Sequence, residues 1–76
     1  MEERIEEIIK EILEFEDNQV LNDEMSEENV EDWDSLVSMQ IVLTLEKEYG
    51  VKFDYDEIIN MDTVGDIKRI AKEKRK

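Results

Sequence analysis

The chain has no cysteine, no histidine and no proline, and only two glycines and one tryptophan in 76 residues. Without cysteine there is no disulfide framework and no thiolate metal site. Without histidine it lacks the usual general base, the usual zinc ligand and the usual partner of a nucleophilic serine. No apolar run approaches the roughly 20 residues that a membrane span needs, and no signal-peptide pattern opens the sequence, which points to the cytoplasm. Basic residues are scarce too. Ten Lys and Arg stand against 23 Asp and Glu, a net charge of −13. Such a surface repels nucleic-acid phosphates and anionic membranes, and it attracts proteins with basic patches. Self-repulsion is the cost, so stability should rise with salt or divalent cations.

What remains is a pattern of helices. A chain this short makes one domain, residues 1–76, with little stability to spare. From Glu2 to about Phe15, Ile5, Ile8, Ile9, Ile12 and Leu13 form the stripe of an amphipathic helix. Glu2, Glu3, Glu6 and Glu7 crowd its N-terminal end, where the helix dipole favours negative charge. Residues 16–34 are polar, with sparse apolar anchors at Val20, Leu21, Met25, Val30 and Trp33. A connection this long is unusual in a compact domain and often functional. The anchors predict that it is pinned across the core, with Trp33 as a plug beneath it.

A second helix is predicted from about Ser35 to Tyr49, with Leu36, Met39, Val42, Leu43, Leu45 or Glu46, and then Tyr49 on its inner stripe and Gly50 as its C-terminal cap. Val37 and Ile41 lie off that stripe and are expected on an exposed, partly apolar outer face. Val51-Lys52-Phe53 is too isolated to build a sheet and reads as an extended linker whose Val51 and Phe53 plug the core. Asp54 and Glu57 have capping-box spacing and open a short third helix through Ile58, Ile59 and Met61. Thr63 and Asp66 mark the start of a fourth, with Val64, Ile67, Ile70 and Ala71 as its apolar stripe. Lys72, Lys74, Arg75 and Lys76 complement the dipole at its end. The expected fold class is all-α, a small antiparallel four-helix bundle with a short third helix and a long first connection.

The residues that carry chemistry are Asp34-Ser35-Leu36, where the polar connection becomes an apolar helix. Serine at such a place has an ordinary use as an N-cap. A helix N-terminus also suits a phosphodiester, because free N–H groups and the dipole stabilise its charge. With no histidine to act as base, a catalytic nucleophile is a poor reading of Ser35. No acidic run has the spacing of an EF-hand calcium loop, and a nucleic-acid mimic would rest on charge alone.

From Val30 to Ile70 the chain resembles the acyl carrier proteins. The likeness runs from the acidic-aromatic approach to Asp34-Ser35-Leu36, through Leu45-Glu46-Lys47-Glu48-Tyr49-Gly50 and the Val51-Lys52-Phe53 linker, to Asp62-Thr63-Val64-Gly65-Asp66-Ile67. The first helix matches in pattern only. The resemblance implies a carrier and not an enzyme. Ser35 would receive a 4'-phosphopantetheine arm from coenzyme A through a phosphopantetheinyl transferase, with Asp34 as a landing point for that enzyme or its metal and Leu36 anchoring the helix start in the core. The arm's thiol would hold acyl or aminoacyl groups as thioesters. A loading ligase and acyltransferase or synthase enzymes are the other implied partners, and the carrier would act as a monomer.

The resemblance makes the second helix the docking surface, with Val37, Gln40, Ile41, Glu46 and Glu48 meeting partners. Val37 and Gln40 stand where charged or small polar residues are common in the family, and Lys47 interrupts the acidic run. Trp33 before the triplet is more like carriers dedicated to lipid-modification, polysaccharide or secondary-metabolite pathways than the main fatty-acid biosynthesis carrier. A peptidyl or D-alanyl carrier shares the architecture. The rival from another class is an unmodified acidic interaction module in which Ser35 is merely a cap.

Overall fold

The computed structural model describes residues 2–16 and 18–75, and the side chains of all of these except Glu2, Glu3 and Arg75. The sequence expectations for the side chains of Glu2, Glu3 and Arg75, and for Lys76, lie outside the described residues. The chain forms α1 (Glu2–Leu13), α2 (Ser35–Tyr49), α3 (Tyr55–Ile59) and α4 (Val64–Arg75). One apolar core joins them. Ile5, Ile8, Ile9 and Leu13 come from α1, Ile41, Val42 and Leu45 from α2, and Val64, Ile67, Ile70 and Ala71 from α4. Leu21, Trp33, Phe53 and Met61 enter from the connections. α3 buries no residue of its own and leans on the cluster through Ile58.

The helix ends follow local chemistry. α1 stops earlier than its periodicity predicts. Glu14 turns left-handed at φ 60°, and the Phe15 N–H donates to the Lys10 carbonyl at 2.9 Å, which closes a Schellman motif. α2 stops at Gly50, which takes φ 65° and donates to the Glu46 carbonyl. A left-handed cap favours glycine because no Cβ meets the following carbonyl. α3 opens with the predicted capping box, Asp54 and Glu57 each accepting the other's backbone N–H at 2.9 Å. That bond from Asp54, with the Lys74 ammonium at 3.0 Å, holds the Glu57 carboxyl below its ordinary value. α4 opens with the matching exchange between Thr63 and Asp66.

The connection from α1 to α2 is strapped to the start of α4. The Val64 N–H donates to the Met25 carbonyl at 2.9 Å and the Gly65 N–H to the Asp23 carbonyl at 3.0 Å. Ser26 and Thr63 form an isolated antiparallel bridge beside them. Gly65 is required by this approach, because a Cβ there would stand 3.1 Å from Asp23 Cβ and 3.3 Å from its carbonyl oxygen. Leu21 and Trp33 are buried as anchors, and Met25 and Val30 are partly buried. Val20 departs from expectation and is 75% exposed.

The larger correction concerns which face of α2 is buried. Ile41 is fully buried, not exposed, and Val37 is half-buried against the core. Leu36, Met39 and Leu43, assigned to the inner stripe, are 69%, 42% and 57% exposed. The inner stripe is Ser38, Ile41, Val42, Leu45 and Tyr49, an i, i+3, i+4, i+7, i+11 series headed by a polar residue. The helix is apolar on two sides, so periodicity alone does not choose between them. The side that faces inward is the one whose Ser38 bonds to the buried indole of Trp33.

Three basic residues bind neighbouring helices. Arg4 on α1 meets Glu48 on α2 at 3.2 Å, Lys74 on α4 meets Glu57 on α3, and Lys68 on α4 meets both Glu6 on α1 at 2.6 Å and Asp23 at 2.8 Å. Exposed pairs of this kind contribute little singly. Lys68 differs, since its side chain is only 12% exposed. Its bonds to Asp23 first and Glu6 next push the ammonium above the ordinary lysine value.

Two outcomes follow from this packing. Ile41→Ala is expected to destabilise the fold by about 2–5 kcal/mol, whereas Leu43→Ala, on the exposed face, stays within about 0.5 kcal/mol; urea unfolding of the two variants checks the orientation of α2. Lys68 has a raised pKa in the fold, so its contribution is complete below the ordinary lysine value and is lost as pH climbs through the raised one. In alkaline solution the wild type should therefore lose more stability than Lys68→Met, and the two should converge; parallel curves across that range would rule out the clamp.

Candidate functional site

The junction of the long connection with α2 is built by Asp34. Its backbone is extended, at φ −124° and ψ −174°, and its side chain accepts the Val37 N–H at 2.9 Å. Its carbonyl accepts the Ser38 N–H at 3.0 Å. Asp34 is thus the N-cap, and Ser35 is the first helical residue. The ordinary explanation for Ser35 is thereby removed, because the capping is done by its neighbour. Ser35 is exposed, and its hydroxyl makes no hydrogen bond among the described residues. The N–H groups of a first helical turn have no partner within the helix, and here the cap takes only that of Val37. The junction joins a free hydroxyl to unpaired backbone donors.

Ser38, one turn after Ser35, is half-buried. Its hydroxyl accepts the Trp33 indole N–H at 2.9 Å and donates to Glu27 at 3.0 Å. Trp33 is 2% exposed and plugs the core as expected. Among the side chains around the junction, Glu28, Glu31, Asp32 and Asp34 are exposed and have no basic partner among the described residues. They give the approach to Ser35 a negative field. No group of acidic residues among those described is arranged to hold a metal ion.

The structure separates the other residues marked from sequence. Leu36 does not anchor the helix start in the core; it points outward beside Met39 and Leu43. Gln40 is exposed, close to that stripe. Ile41 and Val37 face inward. Glu46 spends its carboxylate on the Phe53 N–H at 2.8 Å, holding the linker to α3, and Glu48 is bound to Arg4. Met39 and Leu43 were missed as surface residues, and the signal that could have found them is the rival stripe behind Ser38.

The family described as "phosphopantetheine attachment site" matches residues 3–70. A solution structure of a holo acyl carrier protein from Geobacter metallireducens is 29% identical, covers 96% of this chain and 83% of its own, and superposes with a TM-score of 0.82. No curated protein matches the chain. The chain belongs to the phosphopantetheine-attachment family. It is a carrier and not an enzyme, with the acyl carrier fold, and its cofactor is 4'-phosphopantetheine, bound covalently and loaded as a thioester.

Proposed function

We propose that Ser35 is the attachment point and that the exposed side of α2 presents the loaded arm to partner enzymes. The observation that carries this reading is the division of labour at the junction: Asp34 caps the helix, and the Ser35 hydroxyl is exposed and unbonded. Attachment requires the Ser35 oxygen to attack the β-phosphorus of coenzyme A. An oxygen–phosphorus bond forms to Ser35, the pyrophosphate bond breaks, and adenosine 3',5'-diphosphate leaves. The serine proton passes to a base of the transferase, since this chain has no histidine. The unpaired N–H groups of the first turn and the dipole of α2 favour the negative charge then fixed on Ser35. The arm supplies a thiol on a flexible tether, which raises the effective concentration of the cargo at a partner's active site.

The partner surface under this reading is Leu36, Met39 and Leu43 with Gln40, bordered by the acidic approach of Glu31, Asp32 and Asp34. An apolar stripe exposed on a strongly charged protein suits a partner with a shallow apolar patch beside basic residues. The transferase, a loading ligase, and acyltransferases or synthases are the enzymes this implies. Poor supply of free carboxylates on α2 itself favours a specialised lipid, polysaccharide or secondary-metabolite pathway in the cytoplasm, with acyl or aminoacyl cargo.

The test is intact-protein mass after incubation with coenzyme A, magnesium and a promiscuous phosphopantetheinyl transferase. The wild type should gain one phosphopantetheine, and Ser35→Ala none, with its stability within about 0.5 kcal/mol of wild type. Asp34→Ala should lose about 1 kcal/mol through the missing cap. No gain on folded wild type with more than one transferase would return the protein to an unmodified acidic binding module.

A further inference from the structure

Two serines lie one turn apart at the start of α2, and they are used in opposite ways. The hydroxyl of Ser35 is free. The hydroxyl of Ser38 accepts from Trp33 Nε1 at 2.9 Å and donates to Glu27 Oε1 at 3.0 Å. One proton and two lone pairs allow both bonds at once. Trp33 is almost wholly buried, so its indole N–H needs a partner there, and Ser38 is the one it has.

These bonds close a ring around the attachment point. The Trp33 side chain reaches forward to Ser38, the Ser38 N–H reaches back to the Asp34 carbonyl, and the Asp34 side chain holds the Val37 N–H. The backbone on either side of Ser35 is thus held at several points, while its own side chain is held by nothing. Glu27 extends the hold. It sits in a turn built on Ser26, whose hydroxyl accepts the Glu28 N–H and whose carbonyl accepts the Val30 N–H, and Ser26 is bridged to Thr63 at the start of α4.

We infer that Ser38 is a positioning residue for the transfer reaction: through its bonds to Trp33 and Glu27 it fixes the backbone that aims the Ser35 hydroxyl. The inference rests on Ser35 as the attachment point. A nucleophile displaced by about 1 Å reacts up to a hundredfold more slowly. Leu36, Met39 and Leu43 are exposed and take no part in Ser38's bonds, which go to Trp33 and Glu27, so binding of the carrier and aim of its serine are separable.

The experiment is steady-state phosphopantetheinylation of the whole carrier with coenzyme A, magnesium and one purified promiscuous transferase. Ser38→Ala is expected to lower kcat about tenfold and to leave KM for the carrier within about twofold of wild type. Ser38→Thr, which keeps the hydroxyl, restores kcat. Trp33→Phe breaks the same bond from the other side and keeps the ring in the core. It should lower kcat to the same degree, and the double variant should fall no further than either single one. The fluorescence of Trp33, the only tryptophan, should shift in Ser38→Ala and return in Ser38→Thr. Unchanged kcat in folded Ser38→Ala or Trp33→Phe overturns the inference, as does a loss confined to KM or one that Ser38→Thr fails to rescue. A wild type that is not modified at all overturns the Ser35 reading itself, which is a separate and distinguishable result.

Discussion

The fold depends on fastening a long connection that has no helix among its described residues. Backbone bonds from Val64 and Gly65 to Met25 and Asp23 fix the middle of that connection on the start of α4. Lys68 then draws Glu6 and Asp23 to the same place. With the middle held, Leu21 and Trp33 can both reach the core from one segment. With Trp33 seated, Ser38 faces inward, and α2 must bury Ile41, Val42 and Leu45. The seating of α2 is therefore tied to two hydrogen bonds made at the start of α4.

Charge is distributed with the same division between support and display. In a chain with 23 acidic residues, several carboxylates are spent internally: Glu46 on the linker, Glu57 and Asp66 on helix starts, Glu6 and Glu48 between helices. Arg4, Lys68 and Lys74 are committed to holding helices together. Among the remaining acids, Glu28, Glu31 and Asp32 are exposed on the approach to Ser35 with no basic partner among the described residues, and they add to the negative field there.

Much of this was legible in the sequence, and the reasons are local. Caps depend on residues within one turn of one another, so Asp54 with Glu57, Thr63 with Asp66, and Gly50 could be read directly. α1 could be placed because its apolar stripe has no competitor. α2 could not, because Leu36, Met39 and Leu43 make a stripe as good as the true one, and the true one begins with Ser38. The inward side carries the partner of Trp33, and that pairing is visible only in three dimensions. The structural bonds of Glu46 and Glu48 were hidden for a related reason: a carboxylate on a helix shows no partner in the sequence until the linker or the neighbouring helix that meets it is in place. At the site itself, the sequence marked Ser35 but could not say which of two adjacent residues caps the helix.

The two apolar sides of α2 have a consequence for how such a protein changes over generations. The inner side is constrained by a full core, where each side chain answers to several neighbours. The outer side answers to nothing within the molecule. Exchanges at 36, 39 and 43 cost the fold little, whereas exchanges at Trp33, Ser38 or Ile41 disturb the core or the bonds beneath the helix start. Under the docking role proposed for the outer side, partner recognition and folding therefore rest on separate sets of residues.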